Sequence, residues 1–123
     1  MPGGVSLFVY GTLMDEERLH GLTGRRFARR PARLEGYARL VGTSGYPFVV
    51  PQARGLVDGF LLEDVDPASL RLLDRYEDEG RLYVRRPVEV IAGGRRIDSE
   101  AYVGAKIGGR PARGRTRRRA SGA

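Results

Sequence analysis

The chain has 123 residues, a formal net charge of +7 and no cysteine. That length provides for one domain, and the lack of cysteine excludes disulfides, thiolate nucleophiles and thiolate metal sites. Seven basic side chains and no acid lie between Lys106 and Arg119, so residues 1–105 carry no net charge and give no reason to expect nucleic acid as the main ligand. We read no signal peptide and no apolar run near the ~18 residues of a membrane span, and therefore expect a cytoplasmic protein.

The first predicted element is a buried strand over Val5–Tyr10, because β-branched and aromatic residues follow one another there. Gly11 ends this strand. A short helix is predicted over residues 15–22, since its acids cluster at the start, where the helix dipole favours them.

The middle of the chain predicts three more strands and a second helix. The strands are placed at Arg33–Thr43, Phe48–Pro51 and Gly55–Leu62, separated by glycine and proline turn signals. Asp66 and Pro67 are typical of a helix start, and this helix is predicted to run to about Glu77 and to end before Gly80.

A closing hairpin is predicted from two strands, Leu82–Ile91 and Arg95–Val103, joined at Gly93 and Gly94. From residue 105 the composition changes to Gly, Arg, Pro, Ala and Ser, which predicts a disordered tail over 105–123 after a single domain over 1–104. Many short strands with two helices predict an α+β domain built on a closed or nearly closed barrel.

Glu77 is the strongest candidate for chemistry on physical grounds. On a helical wheel with Leu70 at 0°, Glu77 falls at about 340°, inside the apolar arc, while Asp74 and its charged neighbours fall together at about 40–140° and are expected to face solvent. A carboxyl group in an apolar setting has a raised pKa, which suits proton transfer near neutral pH. The alternative is that Glu77 lies in a fraying last turn and bends out to water.

The second candidate is the segment Tyr10-Gly11-Thr12-Leu13 at the exit of the first strand. A sharp turn there directs backbone N–H groups outward, where they can bind a carboxylate or an oxyanion. The alternative is an ordinary strand-ending turn. A metal site is not expected, since His20 is the sole histidine and has no cysteine partner.

Taken together, several segments resemble the γ-glutamylcyclotransferase-like superfamily in its AIG2-like branch. They are Leu7–Leu13, Val57–Leu62, Leu73–Glu77, the run from Tyr83 to Val90 with its Tyr-x-Arg pattern, and Glu100–Val103. The resemblance covers roughly residues 6–103 in order, and it implies a small mixed β-barrel with flanking helices.

The resemblance also implies a function: cyclisation of a γ-glutamyl compound to 5-oxoproline with release of an amine, without metal or organic cofactor. Glu77 would act as general base and then general acid, residues 10–13 would hold the substrate, and Tyr83 would donate a hydroxyl near Glu77. Two alternatives stay open. The first is a non-catalytic domain that binds a small ligand, and the second is a protein that associates with nucleic acid through its basic tail.

Overall fold

The computed structural model describes residues 4–42, 45 and 47–104, and the predicted disordered tail lies outside this range. Five strands and two helices, together with one short 3₁₀ turn, make up the described chain. They are β1 (Val5–Val9), the 3₁₀ turn (Thr12–Met14), α1 (Glu16–Thr23), β2 (Arg29–Val41), β3 (Pro47–Val65), α2 (Pro67–Glu77), β4 (Tyr83–Ala92) and β5 (Arg95–Gly104).

The five strands form a closed barrel in the order β1-β3-β2-β4-β5. All neighbouring pairs are antiparallel except β1 and β5, which run parallel and close the barrel through the pairs Leu7 with Glu100 and Phe8 with Ala101. Leu7, Phe8 and Val9 are consecutive and fully buried, so both faces of β1 are covered. The α+β class and the mixed barrel with flanking helices are confirmed.

The middle of the chain forms two strands and not the three that the sequence predicts, so that part of the prediction is wrong. The segments placed at Phe48–Pro51 and Gly55–Leu62 belong to the single strand β3, and β2 begins four residues earlier than predicted, at Arg29. A bulge lies between the two predicted segments of β3. There Gly36 alone on β2 faces residues 52–55 of β3, and Arg54 has a φ of 69°. The turn signals there mark a bulge that bends a continuous strand instead of a turn that ends it.

A long β2–β3 hairpin therefore extends past the barrel. We call its distal part, residues 37–41 of β2 paired with 47–51 of β3, the arm. Residues 47–49 at the start of β3 are consecutive and buried, which indicates that both faces of this part of the arm are covered.

Helix α2 begins at its predicted cap, and α1 spans Glu16–Thr23, one residue later than the predicted 15–22. The Asp15 carboxylate accepts from the amides of Glu17 and Arg18, and the Asp66 carboxylate accepts from the amide and hydroxyl of Ser69. The predicted hairpin is also confirmed, with Gly93 and Gly94 at φ 60° and 77° between the paired residues Ala92 and Arg95. No helix in the described ranges is long and apolar enough to cross a membrane.

Close contact between β1 and β3 requires a glycine at position 59. A Cβ at Gly59 would lie 2.2 Å from the Val9 carbonyl oxygen and 2.8 Å from the Phe8 ring, closer than any side chain can approach backbone. The exit of β1, and the residues that follow it, are therefore held directly against the middle of β3.

Candidate active site

Glu77 lies in the last turn of α2, and its side chain is 0 % exposed. The prediction of burial is confirmed, and the helix continues through Glu77 before Asp78 ends it in the left-handed conformation. Neither carboxyl oxygen of Glu77 has a hydrogen-bond partner among the described residues. Burial without compensating hydrogen bonds raises the pKa of Glu77 from 4.5 to about 8, because the charged form loses its hydration.

Three buried tyrosines lie within electrostatic reach of this carboxyl group: Tyr10, Tyr83 and Tyr102. Burial is the main cause of the raised pKa of each, and the charge of Glu77 adds to it in all three. Their hydroxyl groups therefore stay protonated over the whole neutral range and can donate hydrogen bonds.

Each of these hydroxyl groups donates to an acceptor other than Glu77. The Tyr10 hydroxyl donates to the Tyr102 carbonyl oxygen at 2.6 Å, and the Tyr83 hydroxyl donates to the Pro47 carbonyl oxygen at 2.7 Å. The Tyr102 hydroxyl donates to Asp74 Oδ1, also at 2.6 Å. The tyrosines thus line the surroundings of Glu77 and are themselves held in place, while the carboxyl group keeps both oxygens available for another partner.

The exit of β1 forms a short 3₁₀ turn next to α2. Gly11 precedes the turn, and the first amide that donates within it is that of Met14, to the Gly11 carbonyl oxygen at 2.9 Å. The amides before Met14 therefore lie at the N-terminal end of the turn. Leu13 is fully buried, so its side chain anchors the turn and only its backbone can serve a ligand.

Thr12 connects this turn to the catalytic candidate through α2. Its Oγ1 lies 3.2 Å from the hydroxyl of Tyr76, the residue directly before Glu77, and Arg18 Nη1 donates to the same hydroxyl at 3.3 Å. The β1 exit and the end of α2 are thus adjacent. The structure brings Tyr10, Tyr83 and Glu77 together and places residues 11–13 beside them. The Tyr83 hydroxyl, however, donates to the Pro47 carbonyl oxygen and not to Glu77.

The sequence interpretation missed a charged network centred on Arg85. The guanidinium group of Arg85 holds the Asp74 carboxylate with two hydrogen bonds, of 2.8 and 3.0 Å, and also bonds to Glu100. All three side chains are at most 30 % exposed. The hydrogen bonds to Asp74 and then to Glu100 raise the pKa of Arg85 further, so it stays charged.

The expectation that Asp74 faces solvent is therefore wrong. Asp74 lies one helical turn before Glu77, and it joins α2 to both β4 and β5 through Arg85 and Tyr102. A helical wheel cannot show this, because the partners lie 11 and 28 residues away along the chain. The available signal was the Tyr-x-Arg pattern at Tyr83 and Arg85, which had no assigned role.

The chemistry that this arrangement supports is proton transfer by a carboxyl group with a pKa near 8. Within the described residues, no group of three His, Asp or Glu side chains is placed to hold a metal ion.

Comparison with known proteins bears on this arrangement. A family model described as gamma-glutamyl cyclotransferase, AIG2-like, matches residues 7–122. AIG2-like protein C from Arabidopsis thaliana is 33 % identical over 100 residues, which are 79 % of this chain and 57 % of that protein. A Methanocaldococcus jannaschii protein named gamma-glutamylcyclotransferase and putative RNase is 31 % identical over 100 residues, 80 % of this chain and 45 % of that protein.

A solved structure agrees with these matches. The solution structure of an Arabidopsis thaliana protein superposes with a TM-score of 0.77 at 29 % identity, covering 88 % of this chain and 66 % of that one. The chain spans about half the length of the curated relatives that it matches.

Proposed function

We propose that this chain, which belongs to the AIG2-like gamma-glutamyl cyclotransferase family, converts a γ-glutamyl amine or γ-glutamyl amino acid to 5-oxoproline and the free amine. The observation that carries this proposal is the Glu77 carboxyl group, fully buried, without a partner among the described residues, and adjacent to the exit of β1. An unpaired carboxyl group in such a place costs free energy of folding. That cost is understandable if the group handles a proton during catalysis.

The proposed reaction is an intramolecular acyl transfer. The α-amino nitrogen of the γ-glutamyl group attacks its own γ-carbonyl carbon, the amide bond to the leaving amine breaks, and a five-membered lactam forms. The attacking nitrogen begins as an ammonium group and ends as the lactam N–H, so it gives up two protons. The departing nitrogen takes up both and leaves as an ammonium ion, and no water or co-reactant is consumed. Because both reacting groups belong to one molecule, holding it in a folded conformation removes most of the entropic cost.

Glu77 can carry each of these protons in turn from the attacking nitrogen to the departing nitrogen. With a pKa of about 8, the deprotonated form is basic enough to accept a proton from the α-ammonium group, and the protonated form is acidic enough to donate one to the leaving amine. A carboxyl group at its ordinary value of 4.5 would be a much weaker base at neutral pH. In this proposal, burial of Glu77 is the cause of its reactivity.

The 3₁₀ turn after β1 supplies the complementary charge. The proposal assigns the backbone amides of Gly11, Thr12 and Leu13 to the substrate carboxylate or to the oxyanion of the tetrahedral intermediate. The rings of Tyr10 and Tyr83 shape the surrounding space. Because the Tyr83 hydroxyl already donates to Pro47, we assign it as an acceptor or a packing group for the substrate instead of a proton donor.

The test is release of 5-oxoproline from a panel of γ-glutamyl compounds by the wild type, Glu77→Gln and Glu89→Gln. We expect Glu77→Gln to lower kcat by about 10²–10⁴-fold, the usual contribution of general acid–base catalysis. Glu89→Gln removes an exposed carboxyl group on β4 and should leave kcat unchanged. In the wild type, kcat should rise with pH and level off near 8. Equal turnover by wild type and Glu77→Gln would contradict the proposal.

A non-catalytic domain that binds a small ligand is the alternative from another class. It predicts that the same compounds raise the melting temperature through binding to the folded state while no 5-oxoproline forms. The unpaired carboxyl group argues against it, since binding alone requires no such group.

Association with nucleic acid has one supporting observation, the putative RNase in the name of the Methanocaldococcus jannaschii relative. Because this chain spans 45 % of that protein, the nuclease activity can reside in the remainder. The alternative predicts duplex binding that weakens steeply with salt and is lost on deletion of residues 105–123.

A further inference from the structure

Arg39 is the sole charged side chain between Glu35 and Arg54, in a chain of which 30 % is charged. It lies on the arm, opposite Val49 of β3. Its side chain is exposed, and it forms no ion pair with any of the described residues, whereas arginines 25, 26, 29, 30 and 33 each have an acidic partner. A cation without a local partner, on an otherwise uncharged segment, is available to an anionic ligand.

The arm places Arg39 beside the candidate active site. Opposed residues of an antiparallel pair project from the same face, so Arg39 leaves the arm on the same side as Val49, which is fully buried. The Pro47 carbonyl oxygen, two residues before Val49, accepts from the Tyr83 hydroxyl. The β3 strand of the arm therefore lies against the tyrosines around Glu77, and Arg39 lies opposite its residue Val49 with an exposed side chain.

The environment of Tyr10 agrees with this placement. The Val49 amide hydrogen-bonds with the Tyr10 hydroxyl, and the positive charge of Arg39 acts in the same direction, so both partly offset the burial that raises the pKa of Tyr10. Arg39 thus lies within electrostatic reach of Tyr10, whose pKa also responds to the charge of Glu77.

We infer that Arg39 binds the carboxylate of an amino-acid leaving group, so that the site prefers γ-glutamyl amino acids to γ-glutamylamines. The inference rests on the proposed function and specifies its substrate class. The carboxylate of the glutamyl part is assigned to the amides of the 3₁₀ turn, whereas the leaving group extends away from the lactam-forming atoms. An exposed arginine at the rim can distinguish a leaving group that carries a carboxylate from one that does not.

The test compares γ-glutamyl-alanine with γ-glutamylethylamide, which differ only by that carboxylate. We expect Arg39→Met to lower the ratio of their kcat/KM values by about fivefold, because an exposed ion pair contributes at most about that factor. Arg95→Met is the matched control, since Arg95 is exposed and lies about 30 Å along the β4–β5 hairpin from Tyr83. It should leave the ratio unchanged.

Salt separates a charge effect from a structural one. Raising the salt to 0.5 M should lower the wild-type ratio toward that of Arg39→Met, whose own ratio should not respond. If Arg39→Met leaves the ratio of the two kcat/KM values unchanged, even when both values fall, the inference is overturned while the proposed function stands.

A binding experiment keeps the two proposals distinguishable. Dissociation constants of the same two compounds are measured by calorimetry in the full chain carrying Glu77→Gln, with and without Arg39→Met. Preference for γ-glutamyl-alanine that depends on Arg39, without turnover by the wild type, would end the proposed function and keep the recognition by Arg39. Equal affinity for both compounds, or binding of neither, would refute the inference.

Discussion

Burial of Glu77 should make the stability of the folded protein depend on pH. Its pKa is about 8 in the folded state, against 4.5 for the exposed group in the unfolded chain. Between these values the unfolded state releases a proton that the folded state retains. The free energy of unfolding therefore falls as pH rises through this window, by at most about 1.4 kcal/mol per pH unit. Below pH 4.5 this loss of stability is absent, and above pH 8 it reaches its limit of about 5 kcal/mol.

Glu77→Gln removes the titration and keeps the size of the side chain. The buried amide has its own cost of desolvation, but that cost does not vary with pH. Relative to Glu77→Gln, the wild type should therefore lose about 3–4 kcal/mol between pH 5 and pH 8. Such a difference is large against the ~5–15 kcal/mol stability of a typical domain.

The measurement is urea unfolding of both proteins at pH 5, 6, 7 and 8, with Glu89→Gln as a third protein. Glu89 is exposed and paired with Arg96 on the surface, so its variant should follow the pH dependence of the wild type. Parallel curves for wild type and Glu77→Gln would refute the reasoning, because they would mean that Glu77 titrates alike in the folded and unfolded states.

Two further predictions concern the elements that position the site. Arg85→Met should lower the free energy of unfolding by about 2 kcal/mol, because Asp74 loses the two hydrogen bonds from Arg85 one turn before Glu77. It should also lower kcat beyond what the lost folded fraction explains. Arg86→Met, at the exposed neighbouring residue, should change neither urea unfolding nor turnover. Gly59→Ala should destabilise by about 1–3 kcal/mol in the same unfolding assay, because its Cβ would lie 2.2 Å from the Val9 carbonyl oxygen. Gly21→Ala, inside α1 with no atom within 4 Å of the added Cβ, should instead stabilise by about 0.5–1 kcal/mol. Unchanged stability in Gly59→Ala, or equal loss of kcat in Arg85→Met and Arg86→Met, would contradict these assignments.

Predictions that depend on neighbouring residues agree well with the structure. The start of α2 at Asp66 and Pro67, its end at Glu77 and the burial of Glu77 all follow from a cap and a 3.6-residue period, which act within a few residues. The hairpin turn at Gly93 and Gly94 follows from the positive φ that such a turn requires. The catalytic role of Glu77 is a separate matter and stays a prediction.

Predictions failed where a signal had two structural meanings. The residues around Arg54 predict a gap between strands, but the same composition also suits a bulge within one strand. Pairing of β3 with β2 on both sides of the bulge decides between them, and that pairing joins residues far apart in sequence.

The sequence by itself thus determined the class of fold, the two helices, the closing hairpin and the burial of Glu77, because local periodicity, caps and turn residues encode each of these. Only the tertiary structure decided which groups surround that carboxyl group. Barrel closure brings β5 against β1, the arm brings Pro47 to Tyr83, and Arg85 draws Asp74 away from solvent. The physical reason is that the pKa of a buried acid depends on desolvation and on partners in space, and those partners come from segments tens of residues apart.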